Sequence, residues 1–130
     1  PEDQGDPDAT ALREATEEID LDPGFVDIIG RLPTYTTGSG FVVTPVVATV
    51  REGFSVSPDP SEVAEVFEVP LVFLMNPANH RRHQVEMGGH HREFVSMPWT
   101  GVDSRGLERR YVVWGATAAM LRNLYRLLAA

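Results

Sequence analysis

ALREATEEIDL, residues 11–21, places Glu14, Glu17 and Glu18 at helical spacing directly after Arg13. Residues three and four apart on a helix are neighbours, and like charges there cost a few tenths of a kcal/mol per pair. Something must offset that repulsion. Bulk water around an exposed acidic face is one answer. A bound hard cation is the other: three carboxylates on one face supply the oxygen ligands that Mg²⁺ or Mn²⁺ takes, leaving positions for water and substrate phosphates.

The flanking residues mark where this helix begins and ends. Asp6-Pro7 reads as N-cap and first helical residue, since aspartate accepts from free amides and proline lacks a donor the helix could not use there. The helix is predicted from Pro7 to Ile19, stopping near DLDPG (20–24), where Pro23 and Gly24 break it. At about 100° per residue, Ala9, Leu12, Thr16 and Ile19 share one side and the glutamates take the other. Burial of the first side and display of the carboxylates are expected.

Strand signals follow. FVDIIGRL (25–32) is β-branched and apolar, and TYTTGSG (34–40) reads as a loop. FVVTPVVATV (41–50) predicts a long central strand buried on both faces, with a bulge or edge at Pro45, which cannot donate to a ladder. VAEVFEVPL (63–71) predicts a strand leaving its sheet at Pro70, and LVFLM (71–75) a short helix ended by Asn76-Pro77. HRRHQVEM and REFVSMPW flank Gly88-Gly89 as a hairpin with a polar outer face. ATAAMLRNLYRLLA (116–129) is an amphipathic helix whose Met120, Leu121, Leu124, Leu127 and Leu128 form the core stripe.

Composition limits the chemistry. The 130 residues fit one domain, and 42% hydrophobic content fits a folded chain. The absence of cysteine excludes disulfides, thiolate catalysis and cysteine zinc sites, and fits a reducing, cytoplasmic setting. A net charge of −8 opposes binding to nucleic acid or anionic membranes, and no apolar run approaches the ~20 residues of a membrane helix. The opening PEDQGDPD carries no methionine, so a trimmed form or a missing upstream part is expected.

REATEEIDL resembles the core of the Nudix box, Gly-x5-Glu-x7-Arg-Glu-U-x-Glu-Glu-x-Gly-U, where U is bulky and apolar. Arg13, Glu14, Glu17, Glu18 and Leu21 match. Ala15 stands in for the first U, and Asp20 replaces the usual glycine, a position where aspartate tolerates a left-handed turn. The front of the box departs from the pattern: Gly5 holds the upstream glutamate position, Asp6 is one residue out of register, and the leading glycine would precede residue 1. GRLPTYTTGSGFVVTPVVATV, PSEVAEVFEVPL, NHRRHQ and above all YVVWGATAAMLRNL are similar to the coenzyme A pyrophosphatase branch of Nudix hydrolases.

The resemblance implies an α/β (α+β type) Nudix fold over 1–130: a mixed, curved sheet between the REATEE helix and the C-terminal helix. It implies hydrolysis of a nucleoside diphosphate linkage, with coenzyme A or its thioesters giving 3′,5′-ADP and 4′-phosphopantetheine or its acylated form. Glu14, Glu17 and Glu18 would ligate Mg²⁺ or Mn²⁺, and Arg13 would orient a glutamate by a charge-assisted hydrogen bond. Glu62, or Glu65 beside it, is the candidate general base. Two other readings are a Nudix-fold binding module without catalysis and a diphosphatase for another substrate, such as ADP-ribose or a dinucleotide polyphosphate. A sheet lacking upstream strands would expose an edge, so a homodimer is expected.

Other residues have less specific patterns. His80 and His83, with His90 and His91, could be read as a zinc site, but no carboxylate is spaced to complete it. HRRH could instead meet an anionic phosphate. Tyr35 and Trp114 could stack on adenine, with core packing the expectation for Trp114.

Overall fold

Asp6 opens the first helix, α1 (Pro7–Ile19). Its carboxylate accepts from the amides of Asp8 (3.1 Å) and Ala9 (3.4 Å), donors that no intrahelical carbonyl can reach. Pro7 follows as the first helical residue. The helix ends where Asp20 takes a left-handed conformation, φ 55° and ψ 35°, and its N–H reaches Thr16 O at 3.0 Å. Among the described residues Asp20 is the one non-glycine with positive φ. Both boundaries agree with the sequence expectation. The structure, a computed structural model, describes residues 5–130.

The chain divides into two compact units, Pro1–Val66 and Phe67–Ala130. In the first, α1 is followed by β1 (Val26–Arg31), β2 (Tyr35–Thr36), β3 (Val42–Val43) and β4 (Val46–Val50). β1 pairs antiparallel with β4, and β2 with β3. The register shifts between Ile28 and Gly30, leaving Ile29 as an extra residue that is 66% exposed, as a bulge does.

The long, doubly buried strand expected over 41–50 does not form. The run breaks at Thr44-Pro45 into β3 and β4, and Ala48, Thr49 and Val50 are exposed. Pro45 has no N–H for a ladder, although its carbonyl accepts from Leu32 N–H at 2.9 Å. Charge ties α1 to β1: Arg31 Nε donates to Asp8 at 3.0 Å, and Arg31 Nη2 lies 3.6 Å from Asp6.

The second unit holds α2 (Leu71–Leu74), β5 (Arg81–Met87), β6 (His90–Val102), β7 (Glu108–Trp114) and α3 (Gly115–Ala129). The strands form one antiparallel sheet in the order β5-β6-β7. Its first turn is Gly88-Gly89, with φ 57° and 79°, the paired positive φ that a tight two-residue hairpin turn requires. Side chains alternate across the sheet. Met97 and Tyr111 are buried, α3 packs on β6 and β7, and Ala118 of α3 is buried with them. Phe67 stacks on Tyr111 at 4.2 Å between ring centroids, and Phe73 meets Trp99 edge-on at 4.9 Å.

His80 links three elements of this unit. Arg122 Nη1 of α3 donates to Nδ1 at 2.9 Å, and a guanidinium can only donate. The ring proton therefore sits on Nε2, which donates to Leu74 O at the end of α2, 2.7 Å away.

The strand expected over 63–71 is absent. Val63, Val66 and Val69 are half-buried, but the segment joins no ladder. Alternating apolar residues mark a half-buried surface, and a strand also needs a partner edge. The α/β class holds, with small antiparallel sheets and flanking helices; every ladder among the described residues is antiparallel. Among the described residues no helix is long and apolar enough to cross a membrane.

Candidate active site

α1 sets the geometry of the acidic face. Glu17 and Glu18 are exposed and Glu14 is half-buried. Arg13, on the same helix, answers the repulsion between them. Its Nη1 lies 3.2 Å from both Oε1 and Oε2 of Glu17 and 3.5 Å from Glu14 Oε1. One guanidinium therefore draws two of the three carboxylates together. The side chains are about half exposed, so the pairing itself contributes at most about 1 kcal/mol. Its consequence is orientation rather than stability.

The loop carrying Glu62 is fastened to the other end of α1. Glu18 O and Ile19 O, carbonyls of the last helical turn, accept from Asp59 N–H and Ser57 N–H at 2.8 Å each. Such carbonyls have no intrahelical donor, so the loop satisfies them and is fixed by them. Asp59 then folds the next residues into a turn. Its carboxylate accepts from Ser61 N–H (3.0 Å) and Ser61 Oγ (2.8 Å), and its carbonyl accepts from Glu62 N–H (3.0 Å) and Val63 N–H (2.7 Å). The amide and hydroxyl of Ser61 hold the Asp59 carboxyl below its ordinary value of 3.8. Glu62 projects from this turn as an exposed residue, and Glu65 is half-buried beyond it. The contact between 57–59 and α1 was not legible in the sequence, because it is made by backbone atoms.

The donor set is that of a hard divalent cation: several carboxylates, accessible, on one helical face. In the arrangement observed, Arg13 lies against Glu14 and Glu17, and no three acidic or imidazole side chains among the described residues converge on one point. Asp6, the acid nearest the front of the box, is committed as helix cap and partner of Arg31. A cavity of about 500 Å³ opens at the N-terminal end of α1, lined by Asp6, Thr10, Ala11 and Val43 among others, and the glutamate trio is not part of its wall.

The four histidines do not converge on one point among the described residues. His80 is buried and bonded to Leu74 and Arg122, His83 Nε2 shares a hydrogen bond with Ser96 Oγ at 2.7 Å, and His90 and His91 are exposed beside the hairpin turn. Tyr35 is half-buried in β2. Trp114, expected in the core, is 67% exposed.

No family model matches the chain. It is 39% identical over 119 residues to the uncharacterized Nudix hydrolase NudL of Cronobacter sakazakii, an alignment covering 89% of this chain and 56% of that protein. NudL of Photorhabdus laumondii is 32% identical over 116 residues, covering 89% and 57% respectively. The peroxisomal coenzyme A diphosphatase NUDT7 of Mus musculus is 35% identical over 121 residues, covering 88% of this chain and 48% of that protein. The chain thus spans about half the length of the curated relatives it matches. Over most of its own length this chain is homologous to Nudix hydrolases.

Proposed function

We propose that the acidic face of α1 is the catalytic face of a diphosphatase. Its reaction would be hydrolysis of a nucleoside diphosphate linkage, with coenzyme A or an acyl-coenzyme A as substrate. The observation that carries this reading is the Arg13–Glu17–Glu14 arrangement, on a helix whose C-terminal carbonyls anchor the loop of Glu62. Similarity to a coenzyme A diphosphatase supports the substrate class.

Each residue has a distinct task. Glu14, Glu17 and Glu18 would hold Mg²⁺ or Mn²⁺, which when bound neutralises pyrophosphate charge and makes water a better nucleophile. Arg13 positions the Glu17 carboxylate by charge-assisted hydrogen bonds and limits the rotamers open to it. Glu62 is assigned as general base, taking a proton from the attacking water on a carboxylate oxygen. The new bond joins the water oxygen to phosphorus, and the bridging P–O bond breaks. The products are 3′,5′-ADP and 4′-phosphopantetheine or its acylated form.

The test is direct. The chain is incubated with coenzyme A, first with Mg²⁺ or Mn²⁺ and then with EDTA, and the products are resolved by chromatography. Metal-dependent release of 3′,5′-ADP is expected. Glu17→Gln should lower turnover by at least about 100-fold, and Glu62→Gln by roughly 100-fold or more, the range for a lost general base. Full turnover by Glu17→Gln would remove the site assignment. Turnover of ADP-ribose without turnover of coenzyme A would move the substrate class.

A further inference from the structure

The sheet of the second unit has two unlike faces. Met97 and Tyr111, of one alternate set, are buried in the core that includes α3. Ser96, of the other set, is also buried, at 5% exposure, yet it lies on the wall of a cavity of about 410 Å³. That volume lies within the range of small-molecule sites. A serine hydroxyl is a weak nucleophile by itself, because it holds its proton. The neighbours of Ser96 change that. Register places Arg81 on one side and Trp114 on the other, each directly across from it. His83, two residues along β5 from Arg81, is its diagonal neighbour, close enough for side chains to meet.

The contacts of Ser96 are those of an activated nucleophile. Its Oγ lies 2.7 Å from His83 Nε2, within the reach of a nucleophile and its base. His83 stacks on Phe94, with 4.7 Å between ring centroids and 18° between planes, which fixes the plane of the imidazole beside the hydroxyl. With the ring proton on Nδ1, the Nε2 lone pair accepts from the hydroxyl. Arg81 forms no ion pair among the described residues, so its guanidinium can serve a developing negative charge. Phe94, Pro98, Val112 and Trp114 make much of the remaining wall apolar, and no carboxylate among the described residues lines it. Neither Ser96 nor His83 takes part in the chemistry assigned to α1.

We propose that Ser96 and His83 form a nucleophile–base pair that hydrolyses carboxylic esters. Ser96 Oγ bonds to the acyl carbon while its proton passes to His83 Nε2. The tetrahedral oxyanion accepts hydrogen bonds from the Arg81 guanidinium. On collapse, the bond from the acyl carbon to the leaving oxygen breaks, and the alcohol takes the proton from His83. Water then attacks the acyl-serine and gives a proton to Nε2. The carboxylic acid departs as that proton returns to Ser96 Oγ. Water is the one co-reactant, and the atoms balance. The apolar wall favours an uncharged ester with an aromatic or short aliphatic group. The pair lies wholly in the second unit, so the proposal does not rest on the diphosphatase reading.

The test uses the intact chain in EDTA. It is assayed with p-nitrophenyl butyrate, and separately treated with an alkyl fluorophosphonate and mapped by peptide mass spectrometry. Saturable hydrolysis is expected, with the phosphonyl group on Ser96. The adduct is read on the unaltered chain and needs no variant to fold. Ser96→Ala should lower kcat/KM at least about 100-fold. His83→Gln should lower it by roughly 100-fold or more, the range for a lost general base. Both should keep the parent's circular dichroism. Arg81→Ala should lower kcat more than it raises KM, as loss of a group acting on the transition state does. Ester hydrolysis should be equal in EDTA and in Mg²⁺, which separates it from the metal-dependent reaction proposed for α1. Absence of both saturable hydrolysis and an adduct on Ser96 would overturn the proposal. Parental hydrolysis by folded Ser96→Ala, an adduct on another serine instead, or loss of hydrolysis in EDTA would overturn it as well.

Discussion

The two units solve the same stability problem differently. Leu32 is the single buried side chain of the first unit among the described residues, whereas Met97, Tyr111, Ala118, His80 and Ser96 all belong to the second. The first unit is organised by polar contacts: the Asp6 cap, the Arg31–Asp8 ion pair, and the loop amides on the last carbonyls of α1. The second is a three-stranded sheet against a helix, with stacked aromatic rings. Hydrogen bonds and surface ion pairs contribute about 1 kcal/mol each or less, whereas a buried side chain contributes about 1.5–3 kcal/mol. The candidate catalytic carboxylates therefore sit in the unit with less buried anchorage.

This contrast predicts a ranking. Met97→Ala should have the largest effect on stability, about 2–5 kcal/mol, because it leaves a cavity at a fully buried site. Hydrogen exchange should show the loss concentrated in β5–β7 and α3; greater loss of protection in α1 would break the contrast. Asp6→Ala should cost about 1 kcal/mol, with the faster exchange confined to the first turn of α1. A shift in the denaturation midpoint as large as that of Met97→Ala would show that caps, not core, govern the chain.

The smallest expected effect is that of acid on the Glu62 loop. The Asp59 carboxyl is lowered chiefly by the Ser61 amide and then by its hydroxyl. A group lowered on folding contributes stability that is fully present above its ordinary value of 3.8, and that contribution is lost as pH falls through the lower folded value. Acidification through that window should accordingly lower the protection factors of the Glu62 and Val63 amides, each taken against the intrinsic exchange rate at the same pH. Equal protection of those amides above and below that window would show that the carboxylate does not hold the turn.

Legibility in the sequence divided along the range of the interactions. Pro7–Ile19 was readable because its start and stop are chemical: a capping carboxylate, a donorless proline and an aspartate able to go left-handed. Gly88-Gly89 was readable because paired glycines supply the positive φ of a tight turn, and the last helix because its apolar residues recur at helical spacing. The acidic trio was visible from its i, i+3, i+4 spacing, whereas the place of Arg13 beside it was an implication of the Nudix resemblance; the structure sets Arg13 against Glu17. FVVTPVVATV and VAEVFEVPL misled because apolar runs report burial, not pairing. Pro45 cut the first run, and the second joined no ladder.

The sequence by itself determined the local elements of this protein and the face on which its carboxylates lie, because caps, turns and helical periodicity act over four residues or fewer. Only the tertiary structure decided that backbone amides of 57–59 seat the Glu62 loop on α1, that His80 carries its proton on Nε2, and that Trp114 stands exposed beside two arginines. Those outcomes depend on which groups distant along the chain meet, and the energies that choose among such meetings belong to pairs of residues rather than to any one of them.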